Sequence, residues 1–172
     1  MTYDFVAIGD IVVDAFIELN KDVADVSKDM DTGRMTLHMP FGAKIPYTNV
    51  KVVAAVGNSP NAAVSAYRLG LRSAIITNLG NDRYGKDCLD QLRHEGVDTD
   101  FVKVHEGKQT NYHYVLQYGP ERHILIKHEH YPYTLPALTN PPRYLYFSSI
   151  GADSIASHHE IAAYVQSHPA TK

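Results

Sequence analysis

Residues 57–96 read GNSPNAAVSAYRLGLRSAIITNLGNDRYGKDCLDQLRHEG, and this stretch decides the fold. Ser59-Pro60 offers a helix N-cap followed by proline at the first helical position; Asn61 to Leu69 is rich in alanine, and Gly70 stands where a helix ends in a left-handed residue. Ser73 to Leu79 is an apolar run of strand length, Gly80 to Gly85 a loop, and Lys86 to Glu95 a second helix stopped by Gly96. Strands alternating with helices at crossover spacing are the mark of a parallel sheet covered by helices, an α/β fold.

Working outward, Phe5 to Ile8 is a short buried strand ending at Gly9, and Ile11 to Leu19 alternates, with Ile11, Val13, Ala15, Ile17 and Leu19 on one face. Residues 20 to 34 are polar and turn-rich, as in a surface loop. Met35 to Val56 is strand-like but broken by Pro40, Gly42 and Pro46, which suits edge strands. Further strands are expected at Phe101 to Val104, Tyr112 to Tyr118 and His123 to Lys127, the last two turned into a hairpin by Gly119-Pro120-Glu121-Arg122. Tyr144 to Ile150 reads as a buried strand and Ile155 to Gln166 as a helix. A doubly wound sheet that finishes on a helix lacks the strand toward which that helix leads, so the chain reads as truncated.

Composition narrows the function classes. Of 172 residues, 44% are hydrophobic and 20% charged, enough for one domain with a core. With 16 Lys+Arg against 19 Asp+Glu there is no general field for nucleic acid or anionic lipid. Cys88 is the lone cysteine, so no internal disulfide forms; no run approaches a membrane span and the N-terminus does not read as a signal peptide. The expectation is a cytoplasmic protein with no nucleic-acid and no membrane partner.

Several local patterns could carry chemistry. Val56 to Asn61 places a small-residue turn before a helix start, where backbone N–H groups and the helix dipole can hold an anion or a hydroxyl-rich ligand; plain capping uses the same residues. Gly80 to Asp87 imitates a phosphate-binding loop, but Asp87 stands where a hydroxyl should reach magnesium and would repel phosphates; a strand-to-helix connection capped by Asp82 fits the text better. Asp10 and Asp14, four apart, would share a strand face with Phe16 and Glu18; solvation is the commoner role for such acids, and Asp14 could accept from a sugar hydroxyl. His128-Glu129-His130 and His158-His159 suggest a metal, yet no third and fourth ligand is placed, so surface histidines and no metal site are expected. Cys88 reads as a small hydrophobe in a helix, and most tyrosines as packing groups. Neither a Gly-x-Ser-x-Gly elbow nor a Gly-x-Gly-x-x-Gly fingerprint is present.

The ordered set resembles the PfkB, or ribokinase-like, family of carbohydrate and nucleoside kinases. It comprises Gly9-Asp10-Ile11-Val12-Val13-Asp14, Gly57-Asn58-Ser59-Pro60-Asn61-Ala62-Ala63, Leu69-Gly70, Gly80-Asn81-Asp82-Arg83-Tyr84-Gly85, Gly96-Val97-Asp98-Thr99 and the Thr110 strand. The sequence departs from the family at Val56, usually the first glycine of a pair, and at Ser59, usually Gly, Ala or Pro. The resemblance implies a ribokinase-like core of parallel strands with flanking helices plus a small β-sheet lid, with residues 1–172 the N-terminal part of one kinase domain and its C-terminal half absent. Lid strands would span about 11–19, 35–51 and 101–127, the core being the remainder.

The resemblance further implies ATP-dependent phosphorylation of a hydroxyl on a sugar or nucleoside by the intact protein, with ATP and Mg2+ held mainly outside this chain. Asp14, Gly57, Asn58, Asn61 and His113 would be substrate-binding positions, Asp14 and Asn61 converging on one cavity. No catalytic residue is expected here: the family's Gly-Ala-Gly-Asp-like turn has no counterpart, and Gly151-Ala152-Asp153 lacks the second glycine. The chain alone would be inactive. It could pair with a second copy through the lid; the alternative is a non-catalytic sugar- or nucleoside-binding or dimerising module.

Overall fold

The computed structural model describes residues 2–172. In chain order its elements are β1 (Phe5–Ile8), β2 (Val12–Leu19), β3 (Asp25–Lys28), β4 (Met35–His38), β5 (Tyr47–Val56), α1 (Asn58–Arg68), β6 (Ser73–Gly80), α2 (Arg83–His94), β7 (Val102–His105), β8 (Tyr112–Tyr118), β9 (Glu121–Lys127), β10 (Tyr144–Phe147) and α3 (Ile155–Ser167).

A parallel sheet runs in the order β10-β1-β6-β7, the α/β architecture expected. Its central strands β1 and β6 are buried on both faces, which are covered by helices. Alternation divides them: Ala7 and Ile75 join Ala63 of α1 and Cys88 and Leu92 of α2 in one buried cluster. Val6, Ile8, Ala74 and Ile76 pack with Ile161 of α3 in another. Each such fully buried Leu or Ile side chain contributes about 1.5–3 kcal/mol.

A second sheet runs in the order β5-β2-β8-β9, with β2 and β8 parallel and the outer pairs antiparallel. β5 is its edge strand, as the prolines before it require. Gly119-Pro120 closes the β8–β9 hairpin, Gly119 at φ 59.

Some boundaries differ from the sequence reading. Residues 101–105 were expected with the second sheet, but β7 runs parallel to β6, Thr77 opposite Val102. The reason lies just upstream: Asp98 N–H donates to the Ser73 carbonyl and its own carbonyl accepts from Ile75 N–H, drawing the chain back along β6 after α2. Only 112–127 of that span reaches the second sheet. Residues 35–38 pair with β3 in a separate ribbon, so the stretch read as loop contains a strand. β10 is a half-exposed edge rather than a buried strand. Asp10 lies between β1 and β2, off the strand. The α1 cap is Gly57 rather than Ser59, which is fully buried in the first turn, its hydroxyl 3.3 Å from that of Ser148.

The phosphate-loop lookalike is a clasp. Asp82 Oδ1 accepts from Gly85 N–H at 2.9 Å and from the Thr110 hydroxyl at 2.7 Å, and Oδ2 accepts from Thr110 N–H at 3.0 Å. It thereby caps α2 and holds the start of β8. Burial alone would raise the Asp82 carboxyl, but these bonds outweigh it and hold it below the ordinary carboxylate range. A group with a lowered folded pKa stabilises above its unfolded pKa and loses that contribution as pH falls through the folded value. Asp82→Ala is therefore expected to lose about 2 kcal/mol in urea unfolding at pH 7. Its gap from wild type should narrow below about pH 4.

Candidate functional site

β2 is flanked on both sides, so the register fixes what surrounds Asp14: Val53 of β5 on one side and His113 of β8 on the other. All three share one sheet face. His113 Nδ1 lies 3.2 Å from Asp14 Oδ1, and the two side chains are only 14% and 19% exposed. The approach is off the hydrogen-bonding line, and among the described residues Asp14 Oδ1 is buried with no hydrogen-bond partner. Burial raises the Asp14 carboxyl, opposed by His113 and Arg122; burial also lowers the His113 imidazole, opposed by Asp14.

Along the same face lies an open depression of about 460 Å³ lined by Phe16, Glu18, Asn49, Lys51, Val53, Val56 and Gln117. Val53, opposite Asp14, is one of its walls. Its carboxylate, amides and ammonium can exchange hydrogen bonds with a polyhydroxylated ligand, and its size is that of a small-molecule site.

Behind His113 the structure assembles groups that sequence reading left apart. His113 Nε2 and His128 Nε2 are 3.1 Å apart. His128 Nδ1 lies 3.5 Å from Asp10 Oδ2, and the Asp10 side chain is only 9% exposed. Tyr133 donates its hydroxyl to Asp10 Oδ1 at 2.9 Å and accepts from Gly151 N–H at 3.0 Å. Burial raises Asp10, partly offset by Tyr133 and His128, and burial also raises the Tyr133 hydroxyl. Neither acid is therefore merely solvated; His128 lies at the surface as expected, 37% exposed, with His113 and Asp10 beside it. The Asp10/Asp14 spacing hinted at a site; the partners come from residues 113, 128, 133 and 151, and no local pattern announces that convergence.

The remaining expected residues lie along the β5–α1 junction. Gly57, at φ 123, sits so close to the Asp10 backbone that a Cβ would come within 3.0 Å of its carbonyl oxygen. Only glycine suits both the angle and the approach. Asn58 is exposed at the start of α1. Asn61 lines a separate groove of about 300 Å³ with Arg68, Gln91 and Glu95. That groove shares Val53 and Val56 with the 460 Å³ depression, and Asp14 is a wall of neither. The structure thus brings Asp14 and His113 together, sets Gly57 beside Asp10, and leaves Asn61 around the β5 edge.

The 80–87 turn is tied to its own neighbours. In the 80–87 loop, Gly80 N–H is taken by Thr110, Gly85 N–H by Asp82, and Asp87 lies 3.7 Å from Arg83. Among the described residues no three His, Cys, Asp or Glu side chains converge as metal ligands, and Asp153 is exposed. Cys88 is buried, its thiol pushed up to about 12, as befits a packing residue. No helix of the described residues is long and apolar enough to cross a membrane.

Comparison with known proteins gives a consistent picture. The model of the family described as pfkB family carbohydrate kinase matches residues 41–165. A 2-dehydro-3-deoxygluconokinase from Thermoproteus tenax is 33% identical over 64 residues, 37% of this chain and 20% of that relative. The crystal structure of a Cryptococcus neoformans ribokinase in complex with ADP superposes with a TM-score of 0.69 at 19% identity, covering 98% of this chain and 47% of the other. An Arabidopsis thaliana ribokinase complexed with ribose and ATP gives 0.57 at 21%, covering 74% and 36%. These structural likenesses establish the ribokinase-like fold, and the chain spans about half or less of those proteins.

Proposed function

Since this chain belongs to the pfkB family of carbohydrate kinases, we propose that it is the sugar-binding part of a kinase that phosphorylates a hydroxyl of a sugar or nucleoside at the expense of ATP. The observation that carries the reading is the Asp14 carboxylate, its side chain 19% exposed and set beside His113, on the sheet face that carries the depression of about 460 Å³. A partly desolvated carboxylate fixed by a neighbouring imidazole is a strong acceptor for a ligand hydroxyl.

In this reading Asp14 orients the sugar and His113 holds Asp14 in place. Gly57 lets the β5–α1 junction approach, while Asn58 and Asn61 extend the polar rim. The second sheet acts as a lid that screens the sugar from water. ATP and Mg2+ supply the phosphoryl group and its charge neutralisation; the residues that hold them, and the base that takes the hydroxyl proton, lie outside this chain. Titration calorimetry of the 172-residue chain against ribose, fructose, 2-dehydro-3-deoxygluconate and adenosine tests the proposal. Saturable binding of one class supports it. A folded chain that binds none of the four overturns it.

A further inference from the structure

We propose that Cys88 is a positioning residue: its thiol holds a bulge in β5 at Ala54-Ala55, and that bulge turns Val56 and Gly57 toward the candidate sugar site. This deepens the sugar-site reading and rests on it only for the affinity arm of the test.

The bulge is visible in the register. Val12 of β2 stands opposite Val56 of β5 and Asp14 opposite Val53, so a step of two residues on β2 answers a step of three on β5. Side chains alternate between the faces of a strand, and residues three apart would ordinarily lie on opposite faces. The extra residue cancels that alternation, and Val53 and Val56 line the same depression of about 460 Å³. Taking the extra residue out of the register would carry Val56 to the other face. Gly57, which follows it directly, is the residue that meets the Asp10 backbone.

The bulge is built from a residue that resists it. Ala55 has φ 58, in the left-handed region where a bulge of this kind ordinarily uses glycine. A bulge also leaves a backbone group of its extra residue outside the ladder, and Ala55 is only 8% exposed. Its N–H is donated to Cys88 Sγ at 3.3 Å. Sulfur is a weak acceptor, yet an orphaned N–H at this depth would bear its whole desolvation cost, so the bond favours the left-handed turn over its alternatives. Cys88 is fully buried with Ala55 and Val13 in one cluster. It stands on α2, whose first turn the Asp82 clasp fixes, so the acceptor is presented from a rigid element. Filling space would need only a small apolar group there; the geometry uses the lone pair as well.

Two substitutions in the 172-residue chain separate acceptor from filler. Cys88→Ser keeps a lone pair for the Ala55 N–H, whereas Cys88→Val fills the space and offers none. Ribose, fructose, 2-dehydro-3-deoxygluconate and adenosine are titrated separately, with urea unfolding giving the folded fraction. For a probe that binds wild type, Cys88→Val is expected to bind about three- to tenfold more weakly per folded molecule, and Cys88→Ser about as well as wild type. Amide exchange of Ala55 should quicken about tenfold in Cys88→Val relative to the Val53 amide and stay slow in Cys88→Ser. Should Cys88→Val not fold, Cys88→Ala takes its place. Ala55→Gly adds a rescue: glycine adopts the left-handed turn unaided, so Cys88→Ala should cost less affinity in that background than alone. Equal binding per folded molecule by the serine and valine variants would overturn the positioning role, because packing alone does not distinguish them by acceptor. If none of the four probes binds wild type, the sugar-site reading falls by itself and the amide resonances of residues 55–58 decide. Shifts in Cys88→Val that are absent in Cys88→Ser then support the thiol's hold on the bulge, and the same shifts in both overturn it.

Discussion

Asp14→Asn is expected to weaken sugar binding by ten- to about 150-fold while leaving the chain at least as stable as wild type at pH 7. A hydrogen bond to a charged group is worth about 1.5–3 kcal/mol, which sets the size of the loss. The stability half follows from the sign of the Asp14 shift. Burial raises its folded pKa, so the folded state binds a proton more tightly than the unfolded chain does. Ionisation on raising pH above the ordinary carboxylate range thus costs the wild type stability, and asparagine carries no such cost. Calorimetry with a bound sugar and urea unfolding at pH 5 and pH 8 read both halves. A purely structural Asp14 would show the reverse: lost stability and little change in affinity per folded molecule.

Gly85→Ala is expected to cost about 3 kcal/mol or more, although it replaces glycine in a helix with the best helix former. Propensity alone would favour alanine by about 1 kcal/mol. Against that, a Cβ at Gly85 would collide with the Gly80 backbone carbonyl and press on the Thr110 hydroxyl. Backbone cannot rotate away as a side chain can, so overpacking of about 1–3 kcal/mol is joined by loss of the Asp82–Gly85–Thr110 bonds. The control is Gly107→Ala, at φ 70 with open space around it, where only conformational strain of about 1–2 kcal/mol applies. Urea midpoints of the two variants should differ clearly; equal losses would dismiss the clasp as a determinant of stability.

Much of the architecture was legible because it is written in local patterns. The alternation of Val6, Ala7 and Ile8 between two covered faces shows as a continuous apolar run, and Asp82 announces the start of α2 by type and position. The β3–β4 ribbon was hidden because its strands are short and mostly exposed, with no buried face to enforce alternation. Ser59 misled because a serine before proline looks like a cap, whereas the tight packing of Gly9 against Ser59 and Ser148 draws it inward. At the site, family resemblance pointed to Asp14 and His113 as expected substrate-binding positions, and the register of β2 against β8 makes them neighbours. The partnership of Asp10 with His128 and Tyr133 escaped because it joins positions more than a hundred residues apart in sequence.

The chain leaves the parallel sheet through residues 9–11 and returns through Ala55 and Gly57, both at positive φ, and these two passages touch where Gly57 meets the Asp10 backbone. Two further passages, 106–111 and 128–143, also run between the two sheets. A bulkier residue at position 57 would wedge the first two passages apart, disturbing both sheets from a single point.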